Sequence, residues 1–245
     1  MQNTPLISII TITFNAEKHI DITLDSVARQ SFRDYEHIVV DGASNDRTVA
    51  IARSYEGVRI MSERDQGLYD AMNKGIALAR GRYLLFLNAG DTFHNKHVLQ
   101  AYAVRAAKDD DIIFADTVIV DTARHIIGKR HLTAPQTLTF NSFAKGMLIC
   151  HQAFMVRKEI APEYDMKYRF SADYDWTVKC IANSDPRRCT NLGIIAIDYL
   201  KDGLTDKNKF KSLRERFRIM SKYYGTGRTL ANHMGFIFRA LARRF

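Results

Sequence analysis

The residues most able to do chemistry in this chain are carboxylates that follow apolar runs. Asp41 ends residues 35–41 (YEHIVVD), Asp65 lies in 63–67 (ERDQG) after residues 58–62, and Asp91 follows YLLFLNAG at 83–90. A carboxylate is a hard oxygen donor, suited to Mg²⁺ or Mn²⁺ that keeps substrate phosphate oxygens in its shell. At a strand's carboxyl end it can also accept from a nucleobase imide or a ribose hydroxyl. Two of them have a plainer reading: Asp41 as a turn former before Gly42, Asp91 as the cap of a helix opening at Thr92. A second kind of carboxylate sits in FSADYDW at 170–176, where a helix running to about residue 183 opens with Ser171 as N-cap. Asp173 then falls in the first turn, where the helix dipole favours the anion, either as a dipole-stabilising group alone or as a general base for a hydroxyl proton. Asp175 is two residues on and faces about 160° away, so only one of the two points into a cleft. His151 heads a short strand at 151–156; a lone His is more often structural than a ligand.

These residues need a frame, and the hydrophobic pattern supplies one. Residues 6–14 (LISIITITF) are β-branched and nearly continuous, which predicts a central strand. Ile20, Leu24, Val27 and Ala28 then follow at helical spacing within 16–30. The loop between, TFNAE at 13–17, has no glycine, which excludes the G-x-G-x-x-G and P-loop devices and leaves side chains to hold a nucleotide. Strands at 35–41 and 58–62 and helices at 47–54 and 67–79 repeat the β–α unit, and residues 83–87 read as a strand buried on both faces. Successive units bring Asn15, Asp41, Asp65 and Asp91 to one rim, the edge where open α/β sheets bind ligands. Beyond lie a helix at 96–108, a strand at 111–120, a weaker one at 124–132, a mixed loop at 140–150 and a last strand at 189–199. The expected fold is α/β: a mainly parallel sheet with antiparallel edge strands, flanked by helices.

Composition limits the function classes. The chain has 245 residues, 46% hydrophobic, and a formal net charge of +9. Of its 36 Lys and Arg, 11 fall in residues 207–245 against a single acid there, Glu215. The body at 1–206 is therefore neutral and carries no sign of a nucleic-acid groove, while the tail at 207–245 is basic and points to an anionic surface. Phe210, Leu213, Phe217 and Met220 line one tail stripe, and Met234, Phe236, Ile237, Phe238 and Leu241 mark a second. Such basic amphipathic helices either lie in a membrane interface or pack on the body. No apolar run is long enough to span a bilayer, and Met1 to Pro5 lack a basic leader region, so a cytoplasmic protein is expected. Cys150, Cys180 and Cys189 fit no metal or redox spacing and are expected as reduced thiols.

Taken in order, SIITITFNAE, VVDGASNDRT, SERDQGLYDAMNKGIALARGRYLLFLNAGD, CHQAFMVRKE and YRFSADYDW make the chain resemble a family 2 glycosyltransferase of the GT-A fold, in the bacterial polysaccharide-assembly branch. The resemblance implies an inverting enzyme that moves a hexose, with UDP-hexose the first guess. The acceptor is a saccharide hydroxyl, lipid-linked, at the inner membrane face. It implies donor binding by Thr13, Asn15, Glu17, Asp41, Asp65 and Asn88, with Asp41 on the base. It further implies a divalent Mg or Mn at Asp91 and a catalytic base at Asp173, with Asp175, His151 and Lys74 as further candidates. Two departures stand out. Gly90 precedes Asp91 where relatives often carry a second acid, and Ala172 replaces the Glu of a Glu-Asp pair, leaving Asp175 or Tyr174 to orient the base. Two rivals remain: a sugar-nucleotide nucleotidyltransferase, whose Gly-rich basic loop ITFNAE lacks, and a non-enzymatic nucleotide-sugar-binding membrane scaffold.

Overall fold

The computed structural model describes residues 4–201 and 209–242, excepting the side chains of residues 209 and 235–242. The β-branched run becomes β1 (Ile7–Thr13), buried along its whole length. It is followed by α1 (Ile20–Ala28), β2 (Tyr35–Asp41), α2 (Thr48–Arg53), β3 (Val58–Ser62), α3 (Leu68–Leu78) and β4 (Tyr83–Phe86). Strands β3, β2, β1 and β4 lie side by side and parallel. Their register sets Thr13 opposite Asp41 and Asp41 opposite Ser62, one polar row across three strand ends.

The rest of the sheet continues from β4. Its order is β3-β2-β1-β4-β8-β6-β9-β5, with β7 paired to β6. Here β5 is Thr92–Phe93, β6 Ile112–Val120, β7 Ile126–Lys129, β8 Phe154–Arg157 and β9 Cys189–Leu200. The long β6–β9 pairing is parallel; of the strands expected as antiparallel edges, β7 is one, whereas β6 lies inside the sheet, where β8 is antiparallel to it, and the unexpected β5 forms the other antiparallel edge. The sheet divides two cores. Ile10, Leu84, Phe86 and Phe114 face α3 and α5 (Ala172–Ala182), while Ile9, Leu85 and Ile113 face α4 (Val98–Ala106). Strand β4 is thus buried on both faces, as its uncharged run implies.

Three local differences from the sequence expectation have physical causes. Asp91 caps no helix, because Thr92 pairs with Asp198 of β9 and His94 N–H donates to the Ala196 carbonyl (2.8 Å). His151 lies in a 3₁₀ turn (His151–Ala153) ahead of β8 rather than at a strand's head. Residues 140–150 contain a 3₁₀ helix, Phe140–Lys145, closed by a Thr139–Ser142 capping box.

The tail folds as α6 (Lys209–Tyr224) and α7 (Thr226–Ala242). The face of α6 that meets the body is not the Phe210–Leu213 stripe, since Phe210 is 89% and Leu213 50% exposed. It is the row Ser212, Glu215, Ile219, Tyr223, and Ile219 and Met220 enter the same core as α5. Among the described residues no helix is long and apolar enough to cross a membrane, and the three cysteines are free. The apolar tail residues Phe236, Ile237, Phe238 and Leu241 fall outside the described side chains.

Candidate active site

The loops after β1 and β2 are stitched together by the side chains that the sequence marked. Asn15, in a left-handed conformation (φ 47°), accepts from Asn45 N–H (3.0 Å), and its own N–H donates to the Ser44 hydroxyl oxygen (2.8 Å). Glu17 accepts from Arg47 N–H (3.1 Å) and donates through its own N–H to Asp46 (3.1 Å). Asp41 is fully buried. Its Oδ2 accepts from Ser44 N–H (2.9 Å) and the Ser62 hydroxyl (2.6 Å), and its Oδ1 accepts from the Ser44 hydroxyl. Ala43 is also left-handed (φ 62°), a conformation that costs a non-glycine residue on the order of 1 kcal/mol and persists where neighbours over-determine it. Asn15, Glu17 and Asp41 therefore hold a preformed cradle.

Open valences lie around that cradle. A side chain at Gly42 would sit 2.5 Å from Asp65 Oδ2, so Asp65 packs directly on the Asp41–Gly42 turn, and the Phe14 ring lies beside the same spot at 3.3 Å. Phe14 is 63% exposed, a large aromatic face held at the rim with no core to enter. Sequence reasoning missed it; the signal was a bulky aromatic at the polar end of a buried strand. Thr13 Oγ1 and Asn88 Oδ1 are buried without hydrogen-bond partners, at the ends of the paired strands β1 and β4. Buried polar atoms are nearly always paired, so two orphans at adjoining strand ends mark where a ligand's donors or a cation would go.

Asp91 turns away from this rim. It is 4% exposed; its Oδ1 accepts from Leu200 N–H (2.9 Å) and its Oδ2 from Gln152 Nε2 (2.7 Å). Thr23 binds the Asp91 carbonyl (2.8 Å), while Arg124 binds the Gly90 carbonyl (2.8 Å) and Thr92. Burial pushes the Asp91 carboxyl up to about 7, against the Leu200 N–H, Gln152 and the Arg124 charge. Each of its oxygens is already held by a protein donor, so in this arrangement Asp91 does not fit as the carboxylate of a metal centre. Among the described residues no three His, Cys, Asp or Glu side chains converge as a cation site. The orphan oxygen of Asn88 is the better fit to a hard cation.

The other wall is α5. Asp173 and Asp175 face opposite sides, as helical spacing requires. Asp175 is fully buried toward α6, paired with Lys179 (2.7 Å) and Lys222 (3.6 Å) and accepting from the Tyr223 hydroxyl (2.9 Å). Asp173 is half-buried and faces α3. Its Oδ1 accepts from the Tyr69 hydroxyl (3.2 Å) and from Tyr174 N–H (2.9 Å); among the described residues Oδ2 has no partner. Ser171 occupies the N-cap, but its hydroxyl turns to Ser212 of α6 (3.0 Å). Neither Asp175 nor Tyr174's side chain orients the base, because the Tyr174 hydroxyl is spent on the Phe143 carbonyl (2.6 Å).

His151 lies beneath Asp173 in an aromatic bed. It is packed on Phe86 (ring centroids 4.9 Å) and Trp176 (5.4 Å) and bonded to the Tyr164 hydroxyl. Burial pushes His151 down to about 4, so it is a neutral packing group. Lys74 is bound to Glu63 (2.8 Å), the Arg64 carbonyl (2.8 Å) and Asp70 (3.5 Å), which ties α3 to the Asp65 loop.

The geometry is thus a polar rim at the strand ends and a half-buried carboxylate with one oxygen unpartnered among the described residues. The family model described as Glycosyl transferase family 2 matches residues 8–164. The chain belongs to that family. It is 36% identical over 232 residues to a PGL/p-HBAD biosynthesis glycosyltransferase of Mycobacterium bovis, covering 88% of this chain and 86% of the relative. Among solved structures it is similar to S. aureus TarS 1–349 (TM-score 0.74, 18% identity, 94% of this chain and 72% of that one), also solved with UDP-GlcNAc. It is similar as well to the mannosyltransferase PcManGT of Pyrobaculum calidifontis, solved with GDP-Man and Mn²⁺ (TM-score 0.64, 13% identity, 94% and 74%). The chain thus has the GT-A fold of glycosyltransferases, and it is a glycosyltransferase.

Proposed function

We propose that the chain transfers a hexose from a nucleotide sugar, UDP-linked as first choice, to a hydroxyl of a saccharide or glycolipid acceptor with inversion at the anomeric carbon. The observation that carries this reading is Asp173: one oxygen is held by two donors, and among the described residues the other has no partner. Asp173 takes the acceptor hydroxyl's proton as the oxygen attacks the anomeric carbon. The bond to the diphosphate breaks in the same displacement, and the nucleoside diphosphate leaves. No second carboxylate is placed as a nucleophile, so no covalent intermediate is needed.

In the donor site, the exposed Phe14 face stacks on the base. Asp41, buried with both oxygens held by Ser44 and Ser62, shapes the turn that receives the base. The UDP-GlcNAc and GDP-Man of the structural neighbours support the donor class. A Mg²⁺ or Mn²⁺ ion, as in the mannosyltransferase, would be held chiefly by the donor's phosphates, where it neutralises the leaving group, with Asn88 Oδ1 as the protein oxygen nearest to hand.

The same reading includes a peripheral membrane position, which the tail supports. Phe210, Leu213, Leu230 and Met234 are exposed on α6 and α7 beside the exposed Lys211, Arg214, Arg218 and Arg228, an arrangement suited to an anionic leaflet. The test of the whole reading is release of nucleoside diphosphate across a panel of sugar nucleotides, with and without Mn²⁺ and a glycolipid acceptor. Acceptor-dependent release with one donor sustains it. Nucleotide binding without release under every condition would leave the scaffold reading.

A further inference from the structure

The base stands on a helix whose preceding residue, Ala172, offers it no side-chain bond, and the Tyr174 hydroxyl points elsewhere. The side-chain contact that Asp173 does receive comes from α3. We propose that Tyr69 is the positioning residue of the Asp173 base: its hydroxyl, together with Tyr174 N–H, fixes Oδ1 so that Oδ2 faces the acceptor. This rests on Asp173 being the base.

Three features support the assignment. Tyr69 is 6% exposed, with its ring stacked on Tyr164 (centroids 5.6 Å, 22° between planes). Tyr164 stacks in turn on Trp176 of α5 itself (4.9 Å, 9°), and its hydroxyl is bonded to His151. The ring that holds the base and the helix that carries it are therefore locked into one aromatic column, so the two cannot shift independently. Gly75, six residues further along α3, lets this helix sit directly on β1: a Cβ there would be 2.5 Å from Ile10 Cγ2. That close seating sets the reach of Tyr69. Finally, burial and the Asp173 charge raise the Tyr69 phenol well above its ordinary range, so it keeps its proton and donates; the proton taken from the acceptor goes to Asp173 alone.

Tyr69→Phe keeps the stacked ring and removes only the hydroxyl, which makes it the discriminating variant. A lost hydrogen bond to a charged group predicts about a tenfold fall in kcat, with the donor KM and the melting temperature unchanged. In an Asp173→Ala background, where there is nothing to position, Tyr69→Phe should cause no further loss. Wild-type kcat in Tyr69→Phe would overturn the proposal, as would a full loss that persists in the Asp173→Ala background. If Asp173→Ala alone turns over normally, the base reading fails instead, and that is seen before Tyr69 is touched.

Discussion

The two faces of α5 carry the same chemical group to opposite ends. Toward α6, Asp175 is fully buried and its charge is cancelled by Lys179 and Lys222, with Tyr223 completing the site. Toward α3, Asp173 is half-buried, has no cationic partner among the described residues and keeps an oxygen open. A buried carboxylate paired with cations stabilises a helix interface; one held on a single oxygen with no cation beside it can accept a proton. The same distinction separates the saturated Asp91 from the orphan oxygens of Thr13 and Asn88.

The largest effect on stability is expected on the filled face. Removing one partner of a buried ion pair costs about 3–5 kcal/mol, and Asp175 anchors α6 through Lys222 and Tyr223. Asp175→Ala should therefore lower the melting temperature by many degrees, and limited proteolysis should release the tail first. A variant as stable as the wild type would break the contrast drawn between the two faces.

A smaller effect is predicted from pH. Burial pushes both His37 and His151 down to about 4. The unfolded chain binds these protons near the ordinary histidine value while the folded chain does not, so each imidazole favours unfolding as pH falls from about 6.5 toward 4, by on the order of 2–3 kcal/mol at the lower limit. Asp91, raised to about 7 by burial, works in the opposite direction over the same window, since the fold holds its proton more tightly. Denaturant titrations should show stability falling on acidification. The fall should be steeper in Asp91→Asn, in which the opposing group no longer titrates; an unchanged slope would contradict the burial assigned to it.

The smallest effect concerns the rim. Base–aromatic stacking contributes about 1–3 kcal/mol, so Phe14→Ala should raise the donor KM by about tenfold while leaving kcat and the melting temperature near wild type. A fall in kcat alone would move Phe14 from the donor side to the acceptor side.

Much of this arrangement was legible in the sequence. The continuous apolar runs at β1, β2 and β4 and the polar residues after them outlined the sheet and the rim residues Asn15, Asp41 and Asp65, because strand burial and side-chain period are local properties. The 100° step of a helix separated Asp173 from Asp175 before any coordinates. What stayed hidden depends on contacts distant in sequence. Asp91 looked like a rim acid, but its partners, Gln152 and Leu200, lie 61 and 109 residues away. Tyr69 reaches Asp173 across 104 residues. The α6 stripe misled for another reason: its buried face is built partly on Ser212, Glu215 and Tyr223, which satisfy hydrogen bonds at the head and flank of α5. Apolar periodicity does not register such contacts.

The most direct test of the account is a side-by-side measurement of Asp173→Asn and Asp175→Asn, each with donor affinity and acceptor-dependent turnover. Loss of a positioned general base costs about 10²–10⁴-fold in rate. Asp173→Asn should lose turnover by that order with nucleotide affinity and melting temperature unchanged, while Asp175→Asn should lose stability and, below its melting temperature, keep most of its turnover. Normal turnover in Asp173→Asn, or the larger catalytic loss in a folded Asp175→Asn, would contradict the assignment of the base.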